Sequence, residues 1–354
     1  MSQLFSVYDK TMNKTKVAVI GCGVIGPLHA ECYKNNEDAE ITWMCDLIPE
    51  RAKALAEKYG VAKWTSSPAE VFAADDVDSV SICTDHDTHS ELFVSALEHG
   101  KDAICEKPLA HDIKSLDAML AAAKRFPERV CGGVFQHRFD PIYVELRELL
   151  SSGAMGTLLN ASATLRCLRT EEYYKSGTWR GTWQHEGGSV LINQAIHYID
   201  QLLWQAGPAV KITAVIRNLA HQGIIETEDS ASATVEFANG AVGTIEATSG
   251  SNINWLPRLA FFGTEGGIEI TNDKLSFIEM RDKALETSIR EQLEAAIMPK
   301  PAAVGKKYYG TGHVAQLADF IEAVRARRAP GVTLESAAET ARAILEIYKS
   351  NRVI

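Results

Sequence analysis

The stretch from Lys16 to His29, KVAVIGCGVIGPLH, constrains the fold more than any other part of the chain. An apolar run reads as a buried strand, glycines follow at 21, 23 and 26, and a helix begins without a gap. In that setting the first glycine permits the tight turn, the second lets backbone approach a pyrophosphate, and the third lets helix and strand pack closely. Gly21, Gly23, Val24, Ile25 and Gly26 are therefore expected to cradle a dinucleotide at a helix N-terminus, where unpaired N–H groups and the helix dipole favour an anion. A tight turn with no ligand would carry the same glycines. Asp46 tips the balance. It ends the second apolar strand, Ile41 to Cys45, twenty residues after Gly26. An acid there hydrogen-bonds a ribose 2′-hydroxyl and repels a 2′-phosphate, so the expected cofactor is NAD rather than NADP.

Helical and strand patterns then alternate: a helix over Pro49 to Tyr59, a strand over Ser79 to Cys83, a helix over Thr88 to His99, a strand over Ala103 to Cys105, a helix over Ser115 to Phe126 and a strand over Val130 to Phe135. Such alternation predicts βαβ crossovers and a parallel sheet covered on both faces, with ligands beyond the carboxyl ends of the strands. Three strand ends are singled out by that rule: Thr84-Asp85-His86, Glu106-Lys107-Pro108 and Gln136-His137-Arg138. After a helix over Pro141 to Ser151 the texture changes. Thr157 to Arg166 is strand-like, Ser230 to Phe237 alternates polar and apolar residues, Asn239-Gly240 signals a hairpin, and Ala241 to Thr248 pairs back. This half predicts a largely antiparallel sheet with one face open to a partner. Residues 281–307 read as a mobile excursion, and two amphipathic helices, His313 to Arg327 and Leu334 to Ser350, finish the chain.

The expected division is a loose leader over 1–15, a dinucleotide-binding domain over 16–137 and a second α/β domain over 138–354, together 354 residues. A formal charge of −10 argues against nucleic acid and anionic membrane surfaces as partners, and no apolar run reaches bilayer-spanning length. The seven cysteines are scattered without a C-x-x-C pair, which fits a reducing cytoplasm and supports neither a metal site nor a catalytic thiol.

Lys107 stands just past a strand, where a partly desolvated ammonium can hydrogen-bond a reacting hydroxyl, although a solvated surface lysine is the commoner fate. Downstream, Gly187-Gly188 leads into a helical pattern in which Asn193 and His197 are four apart and expected to share a face, with Asp200 three further on. A histidine on a core-facing helix is usually structural. With an upstream lysine and a bound nicotinamide it becomes a candidate base for alcohol oxidation. Between these features, Tyr173 to Trp183 offers aromatics, glycines and Arg180, suited to a loop over a sugar or nicotinamide edge or to a surface loop packed by its own tryptophans. Arg166, Arg169 and Arg180 either grip an acidic substrate or lie on a solvated strand face.

These motifs together resemble the Gfo/Idh/MocA family, named for glucose-fructose oxidoreductase, inositol dehydrogenase and rhizopine catabolism. The resemblance runs from Lys16 to about Ser350 and is carried by the glycine motif, Cys83-Thr84, His89, Glu106-Lys107-Pro108, Arg138-Phe139-Asp140-Pro141, Trp179-Arg180-Gly181, and Gly187-Gly188 leading to His197 and Asp200. It implies an N-terminal Rossmann domain and a C-terminal α/β domain with an open, largely antiparallel sheet, joined through that sheet as homodimers or homotetramers. It also implies NAD(P)-dependent oxidation of a secondary hydroxyl on a sugar, inositol or sugar derivative, or the reverse reduction. Lys107 and His197 match the family's active-site lysine and histidine. Thr84, His89, Glu106, Lys107, Trp179 and Arg180 fall among the expected cofactor contacts, and Gln136, Arg166 and Asn193 join Lys107 and His197 as expected substrate contacts. The chain departs from the family in having Asp85 where proline often follows the threonine, and Asn193 where many members carry an aspartate. Two other activities remain open at this stage, an NAD-dependent glycosidase working through transient oxidation and a non-catalytic NAD-binding sensor.

Overall fold

The computed structural model describes residues 14–296 and 312–351. Its first sheet is built from β1 (Thr15–Ile20), β2 (Ala39–Cys45), β3 (Lys63–Thr65), β4 (Ser79–Ile82), β5 (Asp102–Cys105) and β6 (Cys131–Gly133), wound with α1 (Gly26–Lys34), α2 (Pro49–Tyr59), α3 (Pro68–Ala73), α4 (His89–Glu98) and α5 (Ile113–Arg125). The order is β3-β2-β1-β4-β5-β6 and every pairing is parallel. This is the doubly wound dinucleotide-binding order, whose strand ends open a crevice beside β1 and β4. The central strands are buried on both faces: Val17, Ala18 and Val19 in β1, and Val80 and Ile82 in β4, expose nothing. That explains why they read as unbroken apolar runs rather than alternating ones.

The second half follows with α6 (Pro141–Ser151), β7 (Leu158–Arg166), α7 (Glu171–Lys175), a π-wound turn over Val190–Ala195, α8 (Ile196–Ala206), β8 (Ala209–Arg217), β9 (Ser230–Phe237), β10 (Val242–Thr248), β11 (Arg258–Gly263), β12 (Gly266–Thr271), β13 (Lys274–Met280) and α9 (Lys283–Ala295). The seven strands lie in the order β13-β12-β11-β7-β10-β9-β8. All pair antiparallel except β7 with β10. Period-two burial appears as expected: Gly243, Ile245 and Ala247 of β10 are buried while Val242 and Thr244 are exposed. Ile196, Ile199, Leu202 and Leu203 of α8 belong to the core shared with the sheet's covered face. Among the described residues no helix covers the opposite face.

Two expectations are corrected. The stretch from 281 is not wholly an excursion. Asp282 caps α9 through Ala284 and Leu285 N–H, and Ile289 and Leu293 are buried, so the helix packs rather than wanders. Residues 297–307 of that stretch lie outside the described residues, as do residues 1–13 of the leader, whereas Thr15 is already paired in β1. The domain boundary is also not a single cut. α10 (Gly312–Ala326) returns to the first domain, where Leu317, Phe320, Ile321 and Val324 join the core beneath β1 and α1. α11 (Leu334–Asn351) packs against α5 and β6 on one side and α8 and β8 on the other. Chain connectivity cannot announce such returns, because each helix pattern says only that one face seeks burial, not where. Among the described residues no helix is long and apolar enough to cross a membrane.

Candidate active site

The glycine turn is shaped by what surrounds each Cα. Gly21 adopts φ +96°, and a Cβ there would lie 2.4 Å from the Cys83 carbonyl oxygen. A Cβ on Gly26 would lie 2.0 Å from the Gly21 carbonyl oxygen. Gly23, by contrast, faces open space, Val24 is exposed, and the Ile25 N-cap uses no side chain. The turn thus keeps Gly21 and Gly26 for packing and leaves backbone at 23–25 open to an anion, which is the division of labour a dinucleotide pyrophosphate requires.

Asp46 follows β2 and is nearly buried, with Oδ2 accepting from Cys22 N–H at 2.7 Å and Oδ1 from Ile48 N–H at 2.8 Å. It therefore braces the glycine turn while keeping lone pairs for a ribose hydroxyl. Asp46→Ala should lower affinity for NAD about 10-fold or more and for NADP much less, as expected for losing a hydrogen bond to a charged acceptor. Titrating both cofactors by fluorescence checks this, and an undiminished preference would remove Asp46 from cofactor choice.

At the β4 end, residues 86–88 form a 3₁₀ turn, and Thr88 Oγ1 donates to Thr84 Oγ1 at 2.7 Å. His89, an expected cofactor contact, is held inside the strand ends. It is fully buried, with Nδ1 2.7 Å from the Pro108 carbonyl and Nε2 3.0 Å from that of Thr84, so it ties two strand ends together. Glu106 is likewise internal. His29 Nε2 lies 2.9 Å and His313 Nε2 3.6 Å from its Oε1, and its Oε2 accepts from Lys107 N–H. Burial alone would push this carboxyl up, but the two histidines together hold it well below the usual carboxylate range. Glu106 and His89 position Lys107 rather than face solvent.

Lys107 extends from that base across the domain boundary. Its Nζ donates to the Asn193 carbonyl at 3.2 Å and to Asn193 Oδ1 at 3.3 Å. Desolvation lowers its pKa, opposed by Glu106 and Glu186 and reinforced by Arg180 and Arg169. Asn193 Nδ2 in turn donates to Glu186 Oε1 at 2.5 Å. Asn193 was expected to share a face with His197 and orient its ring. The Asn193 side chain is instead engaged by Lys107 and Glu186, and it makes no hydrogen bond to the imidazole. Asp200, the other expected neighbour of His197, is instead claimed by Arg138 and by Thr340 Oγ1.

The His197 ring is half-buried, edge-on to Phe135 and His137 with centroids 6.2 and 5.2 Å away, and its Nδ1 is buried without a hydrogen-bond partner. Desolvation first, then the Lys107 ammonium and His137, hold its pKa well below the ordinary histidine value. His197 is consequently neutral, the form a general base must start from. Gln136 is buried beside this cluster with an unpartnered Oε1. Arg166 is not part of it. Even-numbered β7 side chains face away from α8, and there Arg166 forms a two-pronged ion pair with Glu246, at 2.7 and 2.9 Å.

Trp179 and Arg180 do reach the site. Trp179 packs on His86 with centroids 5.0 Å apart, and His86 Nδ1 lies 2.9 Å from the Glu186 carbonyl. The arginine stacks on Trp179 and Tyr173, Cζ 4.4 Å from each ring centroid. Two buried acids, Glu186 and Glu228, escaped sequence reasoning although Glu186 directly precedes the tandem glycines. Glu228 accepts from Ser189 and Leu191 N–H and from Tyr348 Oη at 2.7 Å, anchoring the start of the π turn. Desolvation pushes both carboxyls up to about 7. Each therefore binds a proton more readily in the folded than in the unfolded chain, and the stability it contributes is full below about pH 4.5 and lost as pH rises through about 7. Glu228→Gln should flatten that decline, worth on the order of 2–4 kcal/mol. Urea denaturation at pH 5 and pH 8 checks it, and an unchanged pH slope would refute it.

Known proteins match both halves of the chain. Residues 15–133 match the oxidoreductase family, NAD-binding Rossmann fold, and residues 143–269 match the GFO/IDH/MocA C-terminal domain. The chain belongs to the Gfo/Idh/MocA oxidoreductase family. It is 29% identical over 312 residues to D-glucoside 3-dehydrogenase of Escherichia coli, covering 81% of this chain and 88% of that one. It is 26% identical over 276 residues to myo-inositol 2-dehydrogenase of Thermotoga maritima, covering 76% and 78%. Its fold superposes on the WlbA dehydrogenase from Bordetella pertussis, solved with NADH and UDP-GlcNAcA, with a TM-score of 0.86 at 23% identity over 97% of this chain and 96% of that one.

Proposed function

We propose that this oxidoreductase uses NAD to oxidise a secondary hydroxyl of a sugar, inositol or sugar derivative, or runs the reverse reduction. The observation that carries the reading is Lys107 just past the end of β5, hydrogen-bonded to Asn193 on the turn that leads directly to His197, in a sheet whose glycine turn is left open. The inositol and glucoside dehydrogenase activities of the relatives support it. Gly21 to Gly26 and Asp46 would hold NAD, which when bound supplies the hydride acceptor. His197 removes the hydroxyl proton. Lys107, steadied by Asn193, donates a hydrogen bond to the same oxygen and stabilises its developing negative charge. Glu106 and His89 fix the strand ends from below, and Trp179 and Arg180 cover the site from above.

All seven cysteines are free, in keeping with a reducing cytoplasm. The open sheet face, with exposed Val215, Val242, Phe262 and Phe277 among threonines, offers a surface through which copies would join as homodimers or homotetramers. The test is a screen of inositols, aldoses, glycosides and sugar acids with NAD, following NADH absorbance. Accumulation of NADH in step with substrate supports the reading. Release of aglycone without net NADH, or binding without turnover of any substrate, would overturn it.

A further inference from the structure

Tyr173 and Gln194 gather two arginines beside the lysine. Gln194 follows Asn193, the partner of Lys107, and its side chain hydrogen-bonds Arg169 Nη2. Its Nε2 donates to Tyr173 Oη at 2.8 Å, and that same hydroxyl accepts from Arg180 Nη1 at 2.6 Å. The two guanidinium groups share the Tyr173 ring, Arg169 Cζ 5.2 Å and Arg180 Cζ 4.4 Å from its centroid. Among the described residues, neither arginine nor Lys107 forms an ion pair with a carboxylate, whereas Arg138 and Arg166, also near this part of the fold, each do. Arg180 Nε is buried without a hydrogen-bond partner. Arg166, by contrast, is spent on Glu246, which removes it from the question.

Arg169 and Arg180 are held close by the neutral Tyr173 and Gln194. Glu186, the acid that acts on Arg180 and Lys107, spends its oxygens on Gly181 N–H and Asn193, and the buried unpaired Arg180 N–H is a donor awaiting an acceptor. The planar fork of arginine matches a carboxylate through two parallel hydrogen bonds. We infer that Arg169 and Arg180 form a subsite for a carboxylate on the substrate, so that the preferred substrate is an acidic sugar such as a hexuronic acid. This rests on the dehydrogenase reading above and narrows its substrate class. The carboxylate would sit against the Tyr173 side of the site, while the hydroxyl to be oxidised reaches Lys107 and His197.

Two measurements test it. In turnover with saturating NAD, D-glucuronate and D-galacturonate should exceed D-glucose and D-galactose in kcat/KM by about 10- to 100-fold, the scale of a charge-assisted hydrogen bond. Arg169→Gln should erase that preference, shrinking the acid-over-neutral ratio of kcat/KM about 10-fold or more by raising KM for the acids. In calorimetry on NADH-loaded protein, glucuronate should bind more tightly than glucose, and Arg169→Gln should abolish the difference. Neutral sugars turned over as well as the acids would overturn the carboxylate subsite and leave the dehydrogenase reading standing. Glucose 6-phosphate preferred over glucuronate in both measurements would make the anion a phosphate and overturn it too. With no turnover of any substrate, the dehydrogenase reading fails on its own, and the binding difference still upholds or refutes the subsite.

Discussion

His197→Ala should lower kcat for alcohol oxidation by roughly 10²- to 10⁴-fold, the usual contribution of a positioned acid–base group. Lys107→Ala should fall in the same range for a different reason. It removes the donor that steadies the developing oxyanion, and with it the tie to Asn193 across the domain boundary. NAD affinity should survive in His197→Ala and drop in Lys107→Ala, because Lys107 stands next to Glu106 on the strand end that faces the cofactor crevice. Single-turnover rates with deuterated substrate separate chemistry from binding. A chemical step unchanged in His197→Ala would make this histidine a structural residue. The pH profile should agree: burial, Lys107 and His137 hold His197 neutral well below the ordinary histidine range, so the acidic limb of kcat/KM should lie below the unperturbed value near 6.5. Asn193→Asp should leave that limb nearly in place, because the new charge would meet Lys107 and Glu186 rather than the imidazole.

The largest loss of stability is expected from Arg138→Met. Arg138 Nε and Nη2 grip the two oxygens of Asp200 at 2.9 and 2.6 Å, with side chains only 7% and 1% exposed. Nη1 and Nη2 also reach Ser336, and Thr340 donates to Asp200 from α11. The pair joins the segment after β6, α8 and α11, three parts of the chain distant in sequence. Removing the arginine leaves a buried carboxylate with a single hydroxyl partner, which should cost about 3–5 kcal/mol in urea denaturation. The double variant Arg138→Met with Asp200→Leu should recover much of that loss, since the main cost of breaking such a pair is the stranded charge. A loss under about 1 kcal/mol in the single variant would mean that water reaches Asp200 and the pair is dispensable.

These two expectations mark where sequence reading stops. The glycine turn, Asp46, the alternation through the first sheet and the lysine after β5 were all legible, because each depends on contacts between residues near in sequence or on a strand's burial on both faces. The residue types of His197, Asn193 and Asp200 were legible too, but their partners were not. Helical spacing put Asn193 with His197 and Asp200 beside them. In the folded chain Lys107 and Glu186, eighty-six and seven positions away, take Asn193, while Arg138, sixty-two positions earlier, takes Asp200. Likewise Arg166 and Arg169 look alike in sequence, and only the pleat of β7 sends the first to the open face with Glu246 while the second turns to Tyr173. The sequence by itself determined the dinucleotide-binding half, the open-sheet half and the side chains available for chemistry, since local pattern and backbone sterics specify these. Tertiary structure alone decided which acids have their carboxyls pushed up by burial, which cation stays unpaired and which helix returns to the first domain. Those depend on burial and on charges brought together from distant positions, which no local pattern encodes.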